Sequence, residues 1–119
     1  MTQNLFNDLR GVFDNDYPPI HAVGISDNDK VFVVADIFES YYPAMPKYER
    51  NRGYISSSIC ELVDHEKYCT LRFVENFHSL AKAQIAFRVM ARECKLRYAG
   101  NKKELNRLLK KISISDNAA

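Results

Sequence analysis

Short runs of β-branched and apolar residues alternate with polar, turn-forming residues in the first two thirds of the chain. Residues 20–26 and 30–35 carry Val, Ile and Phe, and Asp27, Asn28 and Asp29 separate them. Asp and Asn side chains hydrogen-bond their own backbone and tolerate left-handed turn conformations. The pattern therefore predicts a β-hairpin formed by these two runs.

A second, longer hairpin is predicted further along the chain. Residues 54–63 and 67–75 are rich in Ile, Val, Leu, Phe and Tyr, and a charged segment joins them. These residue types favour a pleated, half-buried sheet. The apolar positions of the first run do not alternate cleanly with its serines. A helix that begins at Ser58, with Glu61 three residues later as its capping partner, is therefore the alternative.

Two short helices are predicted in the same part of the chain. Apolar residues recur at helical spacing over residues 3–13, which indicates an amphipathic N-terminal helix. Asp36 and Glu39 have the spacing of a capping box, which indicates a helix over residues 36–42. Extension of the second strand to Phe38 is the competing interpretation.

Helical periodicity is strongest between residues 79 and 98. One apolar stripe consists of Leu80, Ala83, Phe87, Met90, Ala91, Cys94 and Tyr98. A second stripe, made of Ile85, Val89 and Leu96, lies nearly opposite the first on a helix. Two stripes indicate a helix that is buried on two sides, between the sheet and another element.

A last helix is predicted over residues 102–112. Gly100 is a natural helix stop, and Asn101 with Glu104 has the spacing of a second capping box. The leucines that follow recur at helical spacing and are expected to cover the second stripe of the preceding helix. The predicted fold is thus an α+β domain with an N-terminal helix, a roughly four-stranded antiparallel sheet from two hairpins, and two C-terminal helices packed on one face.

Length and composition predict a single globular domain over residues 1–119, because 46% of the residues are apolar and suffice for a core. Residues 113–119 are expected to form a frayed tail. The N-terminus lacks a basic region followed by an apolar run, and no apolar stretch reaches about 18 residues. The cysteines number three, which is odd. These features favour a cytoplasmic protein with reduced thiols and no membrane partner.

Charge is divided unevenly along the chain. Residues 1–76 contain seven Lys and Arg against twelve Asp and Glu, whereas residues 77–119 contain ten against three. A basic segment of this kind predicts phosphate contacts and a salt-sensitive affinity for nucleic acid. An acidic protein surface as partner and a merely solvated helix face are the alternatives. The residues of this predicted surface are Arg88, Arg92, Lys95, Lys102, Lys103, Arg107, Lys110 and Lys111. The acidic and basic parts of two copies also make a homodimer an option.

A loop that interleaves tyrosines with cations is the second candidate surface. Tyr and Arg are typical of binding surfaces, and both stack on unpaired bases. Packing of the tyrosines back onto the edge of the sheet explains the loop equally well. The residues of this secondary surface are Tyr41, Tyr42, Lys47, Tyr48, Arg50 and Arg52.

Motifs for catalysis or for cofactors are missing or weak. Four glycines leave little material for a phosphate-cradling or dinucleotide-binding loop. The cysteines and histidines of residues 60–78 lack the spacing of a zinc site, and Phe32 stands where a calcium loop beginning at Asp27 needs glycine. Cys94 lies on an apolar stripe and is expected in the core. We therefore predict no cofactor, metal or catalytic residue. The expected function is a non-enzymatic nucleic-acid-binding regulator, with a protein-binding inhibitor or adaptor as the alternative.

The segment Val31–Phe38 resembles the strand-then-helix opening of BRO-type phage antirepressor domains, over less than a tenth of the chain. The resemblance implies that a helix follows the strand directly. Small size and reduced cysteines also suit the accessory proteins of phages and plasmids, such as inhibitors of a host defence or nucleic-acid-handling complex.

Overall fold

Five antiparallel strands form the centre of the fold, in the order β4-β3-β2-β1-β5. The computed structural model describes residues 12–13, 18–38, 54–64 and 69–118. The strands are β1 (Ile20–Ile25), β2 (Val31–Phe38), β3 (Tyr54–Asp64), β4 (Cys69–Phe77) and β5 (Arg97–Ala99). Within these residues the helices are α1 (Leu80–Glu93), between β4 and β5, and α2 (Lys102–Ala118), after the sheet.

The first predicted hairpin is confirmed, and its turn chemistry explains it. The Ser26 backbone N–H donates to the Lys30 carbonyl at 2.9 Å, and the Asp29 N–H donates to the Ser26 carbonyl at 3.0 Å. Asp29 adopts a φ of 64°, a left-handed conformation that Asp accepts more readily than most residues. The polar segment between the runs therefore reverses the chain and fixes the pairing of β1 with β2.

The second hairpin is also confirmed, so a helix from Ser58 is wrong. The serines that interrupt the alternation are buried polar groups with partners. Ser56 Oγ lies 2.8 Å from Ser58 Oγ, and Ser58 Oγ donates to Asn76 Oδ1 at 2.6 Å on one face of the sheet. Ser57 points to the other face and donates to Asp36 Oδ1 at 3.1 Å. Hydrogen bonding makes their burial inside the sheet tolerable.

Strand β2 continues to Phe38, so the predicted helix from Asp36 is wrong and the competing strand is confirmed. Asp36 pairs with Ser57 of β3 in the ladder, and its carboxylate accepts a side-chain hydrogen bond instead of capping a helix. The helix that the antirepressor resemblance implies is likewise not found where β2 runs. Residues 39–42 lie outside the described residues.

The long helix ends earlier than its periodicity predicts. The Lys95 N–H donates to the Arg92 carbonyl at 3.4 Å and the Leu96 N–H to the Ala91 carbonyl at 2.8 Å, the two bonds of a Schellman motif. Lys95 takes the left-handed position of this motif with a φ of 55°. Residues Arg97–Ala99 then form β5 and pair with β1. A sheet of four strands is therefore wrong, because β5 adds a fifth.

The two helices lie on opposite faces of the sheet, so the prediction of two helices on one face is wrong. Alternate residues of each strand point to opposite faces. The core on the α2 side contains Val23, Ile25, Val31, Val33, Ala35, Ile37, Cys60, Leu62, Leu105 and Leu109. The core on the α1 side contains Ala22, Val34, Ile59, Ala83 and Phe87. Strand β5 separates the helices in sequence, and the chain changes face as it passes through that sheet edge.

The described part of the chain contains no N-terminal helix. Val12 and Phe13 form a turn, and both contribute to the core on the α2 side. The remainder of the helix predicted over residues 3–13 lies outside the described residues. At the other end, α2 extends to Ala118 instead of stopping at residue 112.

Candidate functional site

Helix α2 begins with the capping box that its sequence predicts. Asn101 Oδ1 accepts from the Glu104 N–H at 2.9 Å, and the Leu105 N–H donates to the Asn101 carbonyl at 2.9 Å. The Glu104 carboxylate reaches back to the Gly100 N–H at 2.6 Å. The Asn101 side chain thus satisfies the Glu104 N–H, which has no partner within the helix, and the Leu105 bond is the first of the helix itself. The side chain of Glu104, the acidic residue of the first turn, is thus part of the cap.

One side of α2 holds the helix against the sheet. Leu105 and Leu109 are buried in the core, and Leu108 packs against them while partly exposed. The helical period then directs the residues between these leucines toward the solvent. The helix direction is thus fixed by apolar contacts, and its polar side does not contribute to that packing.

The polar side of α2 is a concentrated basic surface. Its exposed residues, which we call the α2 basic face, are Lys102, Lys103, Asn106, Arg107, Lys110 and Lys111. All of these except Lys111 line a single open groove of about 590 Å³. The five cations predicted on this helix are therefore brought together on one side. Such a surface attracts polyanions, and its long side chains can adapt to spaced phosphates.

The three remaining cations of the predicted surface are not part of the α2 basic face. Arg88 and Arg92 are exposed on α1, and Lys95 is exposed in the turn that ends α1. Because α1 and α2 pack on opposite faces of the sheet, the basic surface predicted as one site is two separate surfaces. The secondary surface predicted at residues 41–52 lies outside the described residues.

A polar cluster of His21, Asp36 and Ser57 on the α1 side of the sheet is not predicted from the sequence. His21 Nε2 lies 2.9 Å from Asp36 Oδ2, and Ser57 donates to the other carboxylate oxygen. The Asp36 carboxylate thus lies next to the imidazole through one oxygen and accepts from the serine hydroxyl through the other. The Ser57 hydroxyl has a hydrogen-bond acceptor within the sheet, whereas His21 Nε2 is buried near the carboxylate without a hydrogen bond among the described residues. Three consecutive serines in a strand rich in apolar residues are the sequence signal for it.

The described cysteines differ in environment. Cys60 is fully buried on the α2 side, and desolvation raises the pKa of its thiol from 9.0 to about 12. Cys94 is exposed at the end of α1, so its predicted place in the core is wrong. Among the described residues, no three His, Cys, Asp or Glu side chains are grouped to hold a metal ion. The thiolate, which is the reactive form, is therefore strongly disfavoured at Cys60.

Comparisons with protein-family models, with curated proteins and with solved structures found no match. In the described part of the chain, neither helix has the length and apolar character needed to cross a membrane.

Proposed function

We propose that the protein is a non-enzymatic nucleic-acid-binding regulator and that the α2 basic face holds the phosphates. The observation that supports this most directly is the grouping of four cations around one groove. The groove also contains Asn106, whose amide can donate to a phosphate oxygen. Glu104, the acidic residue of the first turn, is engaged by the Gly100 N–H.

The dimensions of this face suit a short stretch of one strand. From Lys102 to Lys110 the helix rises by about 12 Å. The four groove-lining cations along this length can contact up to four phosphates. Lysine contacts phosphate as a point charge, whereas Arg107 can offer a two-pronged contact. Contacts of this kind position a protein on nucleic acid without reading its sequence.

A phosphate-binding face has a measurable salt signature. Neutralising about four phosphates gives a slope of about −3.6 for log affinity against log salt on duplex DNA. Raising the salt from about 50 mM to about 200 mM then weakens binding roughly 100-fold. Single strands give a shallower slope of about −2.8 for the same contacts. The slope thus counts the cations that are engaged.

Fluorescence anisotropy with labelled oligonucleotides tests the proposal. Arg107→Glu with Lys110→Glu should weaken binding of single- and double-stranded probes at least about tenfold and reduce the salt slope by about 2. Arg88→Glu with Arg92→Glu is the matched control, because it makes the same change in net charge on the other face of the sheet. Thermal denaturation of both variants shows that each remains folded.

Two results would reject the proposal. One is the absence of binding at micromolar protein in about 50 mM salt to any of duplex DNA, single-stranded DNA and RNA. The other is an equal loss of affinity in the variant and in its matched control, since this would reduce the effect to net charge alone. As part of the same proposal we assign the activity to the cytoplasm.

A further inference from the structure

The outward side of α1 exposes an apolar pair that the fold leaves uncovered. Ile85 is 65% exposed and Val89 is 43% exposed, although both were predicted to lie beneath the last helix. They are four residues apart and therefore adjacent on the helix surface. The opposite side of α1 is already packed on the sheet through Ala83 and Phe87. Among the described residues, the pair thus belongs to neither core cluster.

Positive charges flank the apolar pair. Arg88 and Arg92 form a second adjacent row, also four residues apart and exposed. Lys82 is exposed near the start of the helix, whose first turn contains no acidic residue. Glu93 is the one acidic residue of α1. Within the described residues, neither guanidinium has a hydrogen-bond or ion-pair partner.

We propose that this surface, the α1 outer face of Lys82, Ile85, Arg88, Val89 and Arg92, docks an acidic amphipathic helix of a partner protein. The apolar row of the partner would cover Ile85 and Val89, and its flanking carboxylates would meet the two arginines. Ridges of side chains four residues apart are the units that pack in helix–helix contacts. Arginine pairs with carboxylates through two parallel hydrogen bonds, which fixes the orientation of the partner.

The charges and the apolar pair together select this occupant over two others. A phosphate backbone offers no apolar group to Ile85 and Val89, so nucleic acid would leave both in water. A second copy that packs α1 against α1 would bring the arginines of both copies to the same interface. Like charges at an interface oppose association, and Glu93 provides too few carboxylates to neutralise them. An acidic helix satisfies both features at once.

A designed peptide pair provides the probe. The acidic peptide is a blocked helix of about 16 residues with leucines at positions i, i+3, i+4 and i+7 and with glutamates along both sides. The basic peptide replaces every glutamate by lysine. Titration into isotope-labelled protein, followed by backbone amide chemical shifts, reports both the affinity and the residues that are contacted. We expect saturable shifts along α1 with the acidic peptide alone.

Variants on the two helices separate the contributions. Ile85→Ser with Val89→Ser should weaken the acidic peptide at least about tenfold, and both positions are exposed, so the fold is retained. Arg88→Glu with Arg92→Glu should reverse the preference from the acidic to the basic peptide. Arg107→Glu with Lys110→Glu, on the other side of the sheet, should leave the peptide affinity unchanged. The test contains no nucleic acid, so its failure and that of the proposed function are distinguishable.

Four outcomes would overturn the inference. The first is no saturation by the acidic peptide at about 1 mM, and the second is a set of shifts centred on α2. The third is that the protein binds vesicles of phosphatidylserine but not the peptide, and that Ile85→Ser with Val89→Ser abolishes the vesicle binding. This result would make the surface a membrane contact. The fourth is a sedimentation mass that doubles with concentration and returns to that of a monomer in the same variant, which would make it a contact between two copies.

Discussion

Replacement of Gly24 by alanine should destabilise the contact between β1, α1 and the turn that precedes β5. Gly24 is the next-to-last residue of β1 and lies opposite Phe32 of one neighbouring strand and Tyr98 of the other. A Cβ at this position would lie 2.9 Å from Leu96 Cδ1 and 3.2 Å from Leu96 Cβ, and 3.1 Å from Phe87 Cζ. The glycine is therefore needed for close approach and not for an unusual φ.

The expected cost follows from what can move. The Leu96 methyl can rotate away, but its Cβ is tied to the backbone and the Phe87 ring is fully buried. Overpacking of a filled site costs about 1–3 kcal/mol, so we expect a loss of about 2 kcal/mol in the free energy of unfolding. An unfolding entropy of about 2.1 cal/mol/K per residue gives about 0.25 kcal/mol/K for a chain of this length. The melting temperature should thus fall by about 8 °C.

Urea denaturation followed by circular dichroism measures the effect, and Gly100→Ala provides the matched control. At Gly100 the added Cβ meets side-chain ends, Tyr98 Oη at 3.0 Å and Glu104 Oε2 at 3.2 Å, which can give way. We expect that control to lose less than about 1 kcal/mol. The Gly24→Ala change should also cost less in a Leu96→Ala background, because one clashing group is gone. Equal costs for Gly24→Ala and Gly100→Ala, or no coupling to Leu96, would refute the steric explanation.

Three further predictions concern the end of α1 and the thiols. Lys95→Gly should raise the free energy of unfolding by about 0.5–1 kcal/mol because Lys95 has a positive φ, whereas Lys95→Ala should not raise it. A lower free energy of unfolding for the glycine variant in urea denaturation would contradict this. In a Cys69→Ser background, Ellman's reagent should titrate Cys94 in the native protein and Cys60 only after denaturation; rapid labelling of both would refute the burial of Cys60. Burial raises the pKa of Cys60 from 9.0 to about 12. The contribution of this thiol to the free energy of unfolding is therefore complete below pH 9. It is lost as the pH rises from 9 toward 12, because the thiol ionises first in the unfolded chain. The stability difference between the parent and Cys60→Ala should narrow above pH 9; a constant difference would contradict the raised pKa.

Local turn and capping chemistry accounts for the parts of the fold that the sequence predicts correctly. Asp27, Asn28 and Asp29 mark the first hairpin because their preferences act over a few residues, independently of the rest of the chain. Asn101 and Glu104 mark the start of α2 for the same reason. The five cations of the α2 basic face then follow from the helical period alone.

Strand β5 could not be predicted from local pattern. Cys94 and Tyr98 continue the apolar stripe of α1, so the periodicity extends through residues that are not helical. The stop itself lies at Lys95, a residue without the conformational freedom of glycine, and so it carries no sequence signal. What ends the helix is non-local: Arg97 donates through Nη2 to the Ser26 carbonyl at 3.2 Å while β5 pairs with β1. Tertiary pairing overrides helix periodicity at this point.

The separation of the two basic surfaces has the same physical origin. An amphipathic pattern states which side of a helix is buried, but not against which face of a sheet it packs. Leu105 and Leu109 were therefore assigned correctly to a buried stripe but to the wrong neighbour. With α2 on the far face, Ile85 and Val89 change from expected core to exposed surface. The cations beside them then acquire an apolar context that the α2 basic face lacks. Positive charges that are neighbours in the sequence thus belong to two chemically different surfaces. The net charge alone does not predict what either surface binds.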